Sequence, residues 1–395
     1  MKKLIVNLVK LSVTVVILIL IFKKFQIGWG DISTAIAESN PWWFVVGILT
    51  QVAAITFSIL RWRVLLESQG LAVPSGHLIK TYLVGRFLGT FTPTGVGLEA
   101  YKAYDIARYT SRGTESVTVV FVEKFLTLLA LSILMLVTLP MIKLNTMFIA
   151  VFFIFFLAIL LILLVLIFKA SILMGILKIL PLRNKTEGPA SKAVASFENF
   201  KHSKGAMGMA IVYGVAVYLF LFSTFYTNGM ALRIGKNQPG DLYLAQSTEN
   251  ARNTLLKHHI EFIEQKEPGS GMIEVFLTDI EHRQLSSADT KFSTANDSNY
   301  QRKGLGLSDV LKVGPLTQIA TMIPLSIAGI GLREGAFVGL LKSMGVWVGQ
   351  KTVLAATMWY FVSVSVNIFG AIIFLTRRTD YKAKITKEEF KNVTS

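Results

Sequence analysis

The chain has no cysteine and only five histidines in 395 residues. Without a thiol it can form no disulfide, hold no Cys-ligated zinc and use no cysteine nucleophile. It also lacks the G-x-x-x-x-G-K-[ST] phosphate loop and the G-x-S-x-G elbow. Neither nucleotide hydrolysis nor hydrolase chemistry is therefore supported, and no catalytic residue or cofactor is expected. Charge is scarce as well: Asp, Glu, Lys and Arg make up 16% of the residues, against 52% apolar ones. What the chain has instead is long apolar runs and a mean hydropathy of +0.55. At about 1.5 Å per residue, several of these runs cross a hydrocarbon core of about 30 Å. The sequence is that of a polytopic α-helical membrane protein.

The expected full spans are six: Leu4 to Phe22, Pro41 to Ile59, Val117 to Leu139, Met147 to Phe168, Met207 to Tyr226 and Thr352 to Leu375. Lys10 inside the first, and no small-residue cleavage site after it, make that run an anchor rather than a signal peptide. Trp42 and Trp43 open the second span as an interfacial belt, and Arg61, Trp62 and Arg63 close it as a charged cytoplasmic anchor. The excess of base over acid, net +16, fits cytoplasmic loops beside anionic lipid better than nucleic acid. Lys169 to Lys204 and the tail from Arg377 are the basic segments. They place both termini in the cytoplasm of a prokaryotic cell, with the protein in its inner membrane.

Two interrupted segments lie between the spans, roughly Ile79 to Val96 and Val313 to Met344. Each carries a proline, a Gly-x-Gly pair and a carboxylate just beyond: Pro93, Gly95, Gly97 and Glu99 in the first, Pro324, Ser326, Gly329, Gly331 and Glu334 in the second. A broken helix leaves backbone groups that only protein or a polar cavity can satisfy, so paired breaks in two halves point to a transporter-type binding site. With the loop charges above, the first dips in from the cytoplasm and the second from outside, as an inverted-topology repeat requires.

Charges at membrane depth cluster at these breaks: Arg86, Glu99 and Lys102 at the first, Glu123 and Lys124 in the next span, Arg333 and Glu334 at the second. Each costs about 2.5 to 3.5 kcal/mol at a helix centre, so they should face the interior in pairs. Arg86, Lys102 and Arg333, with the free N–H groups of helices starting after each Gly-x-Gly, would contact an anion such as phosphate, and Glu99 and Glu334 would hold those cations or an amine. The structural alternative is that Glu123-Lys124 and Arg333-Glu334 are salt bridges, and that Gly-x-Gly serves helix packing. Tyr82, Tyr101 and Tyr104 read as packing aromatics, and Ser363 and Asn367 as groups that join helices.

The stretches Arg61-Trp-Arg63, Tyr82 to Pro93, Gly97 to Tyr104, Glu123-Lys124 and Gly329-Ile-Gly-Leu-Arg-Glu-Gly335 resemble the lysylphosphatidylglycerol synthase transmembrane, flippase-like family. The resemblance implies a membrane domain with re-entrant helices that moves lipids with modified head groups between leaflets. Better-known members carry a soluble aminoacyl-transferase domain afterwards. This chain ends at Ser395, which argues against its making an aminoacyl lipid by itself. It also has Gly97-Leu98-Glu99 where many relatives have Gly-Gly-Asp.

The expected organisation is a membrane domain over 1–235 and 305–376, a soluble extracytoplasmic insertion over 236–304, and a basic tail over 377–395. In the insertion, Ser247 to Lys266 reads as a helix, Met272 to Thr278 as a strand and Ser286 to Arg302 as a loop. Its histidines, His258, His259 and His282, match no metal-site spacing. The function expected is translocation of a phospholipid or lipid-linked precursor. The alternative is a membrane subunit that presents lipid to a separately encoded transferase or glycosyltransferase. Membrane lipids, and in the second case a lipid-modifying enzyme, are the expected partners.

Overall fold

The computed structural model describes residues 29–37, 39–90, 92, 96–142, 144–168, 200, 203–234, 304–322, 331–346 and 350–376, together with short stretches between 238 and 302. The first expected span, Leu4 to Phe22, lies outside the described residues, as do most of the basic loop before Lys204 and the tail.

After a short helix α1 (Trp29–Ala37), the long helix α2 (Pro41–Ser68) starts on a sequence made for it. Asn40 Oδ1 accepts from Trp42 N at 3.1 Å, and Pro41 stands in the first turn, where its missing N–H costs nothing. The helix ends at Gly70, whose φ of 67° suits a left-handed cap; Leu71 N then donates to Leu66 O at 3.0 Å. Two short helices follow, α3 (Ser75–Thr90) and α4 (Val96–Thr110), then α5 (Gly113–Thr138) and α6 (Thr146–Phe168). The second half has α7 (Lys204–Ala231), α8 (Leu307–Met322), α9 (Leu332–Ser343) and α10 (Gln350–Thr376).

Four described helical stretches are long and apolar enough to cross a membrane: Pro41–Ser68, Gly113–Met141, Lys204–Ala231 and Lys351–Thr376. Helix α6, at the expected fourth span, is helical throughout, though its described apolar stretch runs only over Thr146–Ile162. At about 1.5 Å per residue, α3, α4, α8 and α9 (16, 15, 16 and 12 residues) are too short to cross a core of about 30 Å. The two interrupted segments are thus two helical hairpins, α3/α4 and α8/α9.

Helices α2 and α7 pack side by side along their length. Rising residue numbers on one meet falling numbers on the other: Asn40 N donates to Ala231 O at 2.9 Å, Thr50 and Thr224 hydroxyls meet at 3.0 Å, and the Phe57 and Tyr213 rings at 5.9 Å. The pair is antiparallel. Around it the packing is matched: α2 touches α3, α5 and α10, and α7 touches α8, α10 and α5. Helix α3 packs on α4 and α10, and α8 on α9 and α5; α4 meets α5 as α9 meets α10. Two apolar cores fill the spaces, one around Trp62, Leu65 and Leu126, the other around Phe222, Phe337 and Leu341. Exposed apolar side chains such as Phe148 and Phe155 on α6 and Phe361 and Phe369 on α10 remain for lipid.

Between α7 and α8 the chain forms strands β1 (Gln238–Pro239), β2 (Asp241–Gln246), β3 (Phe262–Glu264), β4 (Met272–Leu277), β5 (Ser293–Thr294) and β6 (Gln301–Arg302). β3, β4, β2 and β5 make an antiparallel sheet in that order. The expected strand at Met272 is β4. The helix expected over Ser247 to Lys266 does not extend to its end, because Phe262–Glu264 pairs with β4 instead. Hydrogen bonding to a neighbouring strand overrides the local helical pattern there.

Candidate functional site

The first break gathers charge. Glu123, on α5, accepts from Arg61 Nη2 of α2 at 2.9 Å and from Lys102 Nζ of α4. Lys102 Nζ lies 3.6 Å from Glu99 Oε2, and Lys124 Nζ lies 3.9 Å from Glu99 Oε1. Five side chains of alternating sign, Arg61, Glu123, Lys102, Glu99 and Lys124, therefore form a chain. It runs from a buried end to an open one, since Arg61, Glu123 and Lys102 are buried while Lys124 is 49% exposed. Lys102 Nζ also sits 4.7 Å above the Trp62 ring, whose negative face favours a cation.

Adjacent Glu123 and Lys124 do not pair with each other: consecutive residues point to different helix faces, so Glu123 turns inward and Lys124 toward Glu99. Arg61 and Trp62 correct the expectation of a charged cytoplasmic anchor. They are 6% and 0% exposed, and the guanidinium is a core ion-pair partner. The signal was available as a buried face of α2, because Gln51, Ser58 and Arg61 repeat at helical spacing and all are buried. Arg61 Nε and Nη1, both Gln51 amide atoms and Glu99 Oε2 are buried without a hydrogen-bond partner. Such groups need water or a ligand at membrane depth.

Arg86, near the end of α3, is half-buried and joins α10: Nε donates to Asn367 Oδ1 at 3.0 Å and Nη2 to Ser363 Oγ at 3.2 Å. Asn367 Nδ2 donates in turn to Thr90 Oγ1 at 3.0 Å. Ser363 and Asn367 do join helices, as expected, through the guanidinium. The helices meet so closely at Gly370 that a Cβ there would lie 2.1 Å from Leu83 O.

Just beyond the second break, acid and cation meet each other. Arg333 donates to Glu334 from Nε, at 3.1 Å, and from Nη2, and its guanidinium lies 4.2 Å over the Trp359 ring of α10. Glu334 Oε2 accepts from Gly331 N at 2.5 Å, which caps α9. Gly331 has φ 88°, a conformation that favours glycine. Gly97 N donates to Thr92 Oγ1 at 2.9 Å, and a Cβ on Gly97 would lie 2.9 Å from Leu88 O. Neither glycine offers the free N–H expected for an anion, because the chain itself satisfies both; Gly97 serves close packing. Pro93, Gly95, Pro324, Ser326 and Gly329 lie outside the described residues, as do His258, His259 and His282.

A further cluster was not foreseen. Asp105, buried on α4, is 2.9 Å from His77 Nε2 of α3 and accepts from Thr81 Oγ1. It fastens the two arms of the first hairpin, and its sequence signal, lone residues 24 and 28 positions apart, has no period. Among the described residues no three His, Asp or Glu side chains are placed to hold a metal.

Long apolar helices around two hairpins with buried ion pairs define an integral, multi-pass membrane protein. The model of the lysylphosphatidylglycerol synthase TM region matches residues 7–234, and the chain belongs to that family. The match includes the first hairpin and ends at Ile234, before the strands between α7 and α8, so Arg333 and Glu334 lie beyond it. No curated protein matches the chain.

Proposed function

We propose that the protein translocates an amphipathic lipid across the cytoplasmic membrane, the polar head group passing between the two hairpins while the acyl chains stay in the bilayer. The observation that carries this reading is the matched packing around the antiparallel α2/α7 pair. Exchanging α2 with α7, α3 with α8, α4 with α9 and α5 with α10 reproduces every contact described above, which is the pattern of an inverted repeat. Such a repeat has two related conformations that open to opposite sides. The orphaned polar groups of Gln51 and Arg61 between these helices support a wet or ligand-bearing interior.

In this reading the basic loop before Lys204 and the tail face the cytoplasm, and the segment between α7 and α8 is a soluble excursion outside. Membrane lipids are the partners. The purified protein in vesicles should accelerate leaflet exchange of labelled phospholipids over protein-free vesicles. A folded protein that exchanges no lipid in the panel overturns the proposal and favours a subunit that presents lipid to a separate enzyme.

A further inference from the structure

Five cations lie at membrane depth near the two breaks, and four of them are matched by carboxylates: Arg61 and Lys102 by Glu123, Lys124 by Glu99, Arg333 by Glu334. Arg86 is the exception among these five. Its partners, Asn367 and Ser363, are neutral. These two are themselves 8% and 7% exposed, so the guanidinium is aimed by a buried polar frame rather than lying loose on a surface. Asn367 is held in turn by Thr90, and the crossing at Leu83 and Gly370 fixes the distance between the helices.

A guanidinium has five N–H donors, and among the described residues the two bonds above engage two of them. Among the described residues no hydrogen bond engages Nη1, and the Ser363 hydroxyl, which accepts from Nη2, has its own proton to donate. A positive charge at this depth held only by neutral acceptors is costly. An oxyanion beside Nη1 and Ser363 would remove that cost with charge-assisted hydrogen bonds.

We infer that the seam between α3 and α10 at Arg86, Ser363 and Asn367 is the subsite for a phosphate oxyanion, and that the ion-paired Lys102 and Arg333 do not provide it. The inference rests on the translocator reading for why a phosphate arrives there; the binding itself does not depend on transport. The phosphate is either that of a lipid head group or a free one.

The test is Asn367→Asp, which places the missing carboxylate against Arg86 without removing the cation. Ser363→Asp does the same from the other side if the first variant does not fold. Thermal unfolding of the full-length protein in detergent is followed against dioleoylphosphatidylglycerol, dioleoylglycerol and inorganic phosphate. In the wild type the phospholipid, and not the diacylglycerol, raises the midpoint; in the Asp variant its apparent affinity falls about tenfold or more, the scale of one lost charge-assisted contact. Stabilisation by inorganic phosphate with the same loss assigns the site to a free anion and still supports it. Equal stabilisation of wild type and variant, or none by either phosphate compound, overturns the inference. Variant-sensitive binding without leaflet exchange would instead overturn the transport reading and leave the site standing.

Discussion

The two hairpins share one backbone design and differ in how their charges end. In α8/α9, Glu334 meets Arg333 and caps its own helix, so acid, cation and backbone N–H close on each other. Around α3/α4, charge runs from Arg61 on α2 through Lys102 and Glu99 of α4 to the exposed Lys124 on α5, and Arg86 keeps its charge among neutral partners. The same helix break can thus be settled internally or left with capacity for something else. Helix packing is matched between the halves, and side-chain chemistry is where they differ.

Substitutions can break this comparison in descending order of effect. Glu123→Ala leaves Arg61 and Lys102 buried without their shared carboxylate, and should cost at least about 3–5 kcal/mol, seen as loss of folded protein in thermal unfolding. Glu334→Gln strands one buried cation and weakens a cap, so it should cost about 3 kcal/mol by the same measurement. Gly370→Ala drives a Cβ into Leu83 O; it should part α3 from α10 at about 1–3 kcal/mol and weaken the phospholipid effect together with the Arg86 bonds. Glu99→Gln, at the open end of its chain, should change stability by less than about 1 kcal/mol. Were the hairpins equivalent, the Glu99 and Glu334 variants would cost alike.

Much of the fold was legible because its signals are local. Apolar runs gave the described spans, and Gly-x-Gly with proline gave both hairpins. The site was half legible. Residue type and membrane depth singled out Arg86, Lys102, Glu123 and Arg333, but pairing depends on which helix faces meet. Glu123 finds Arg61 62 positions away and Arg86 finds Asn367 281 positions away. Adjacency misled at Glu123-Lys124, where neighbours on a helix diverge, and held at Arg333-Glu334, where the long Arg side chain folds back at a helix start. Composition near Arg61 suggested an interface, because a Trp between two arginines is also what a membrane boundary contains.

In the proposed reading the head group reaches the space between the hairpins past Arg86, through the seam between α3 and α10, and the cysteine-free chain allows a clean test of it. Phe87 and Phe374 face each other across this seam with ring centroids 6.3 Å apart. Cysteines at both positions, bridged by a short thiol-reactive cross-linker in vesicles, would tie the seam shut. Lipid exchange that stops on cross-linking, and persists in each single-cysteine protein given the same reagent, is the predicted result. Exchange that continues at the uncross-linked rate would contradict passage of the head group between these helices.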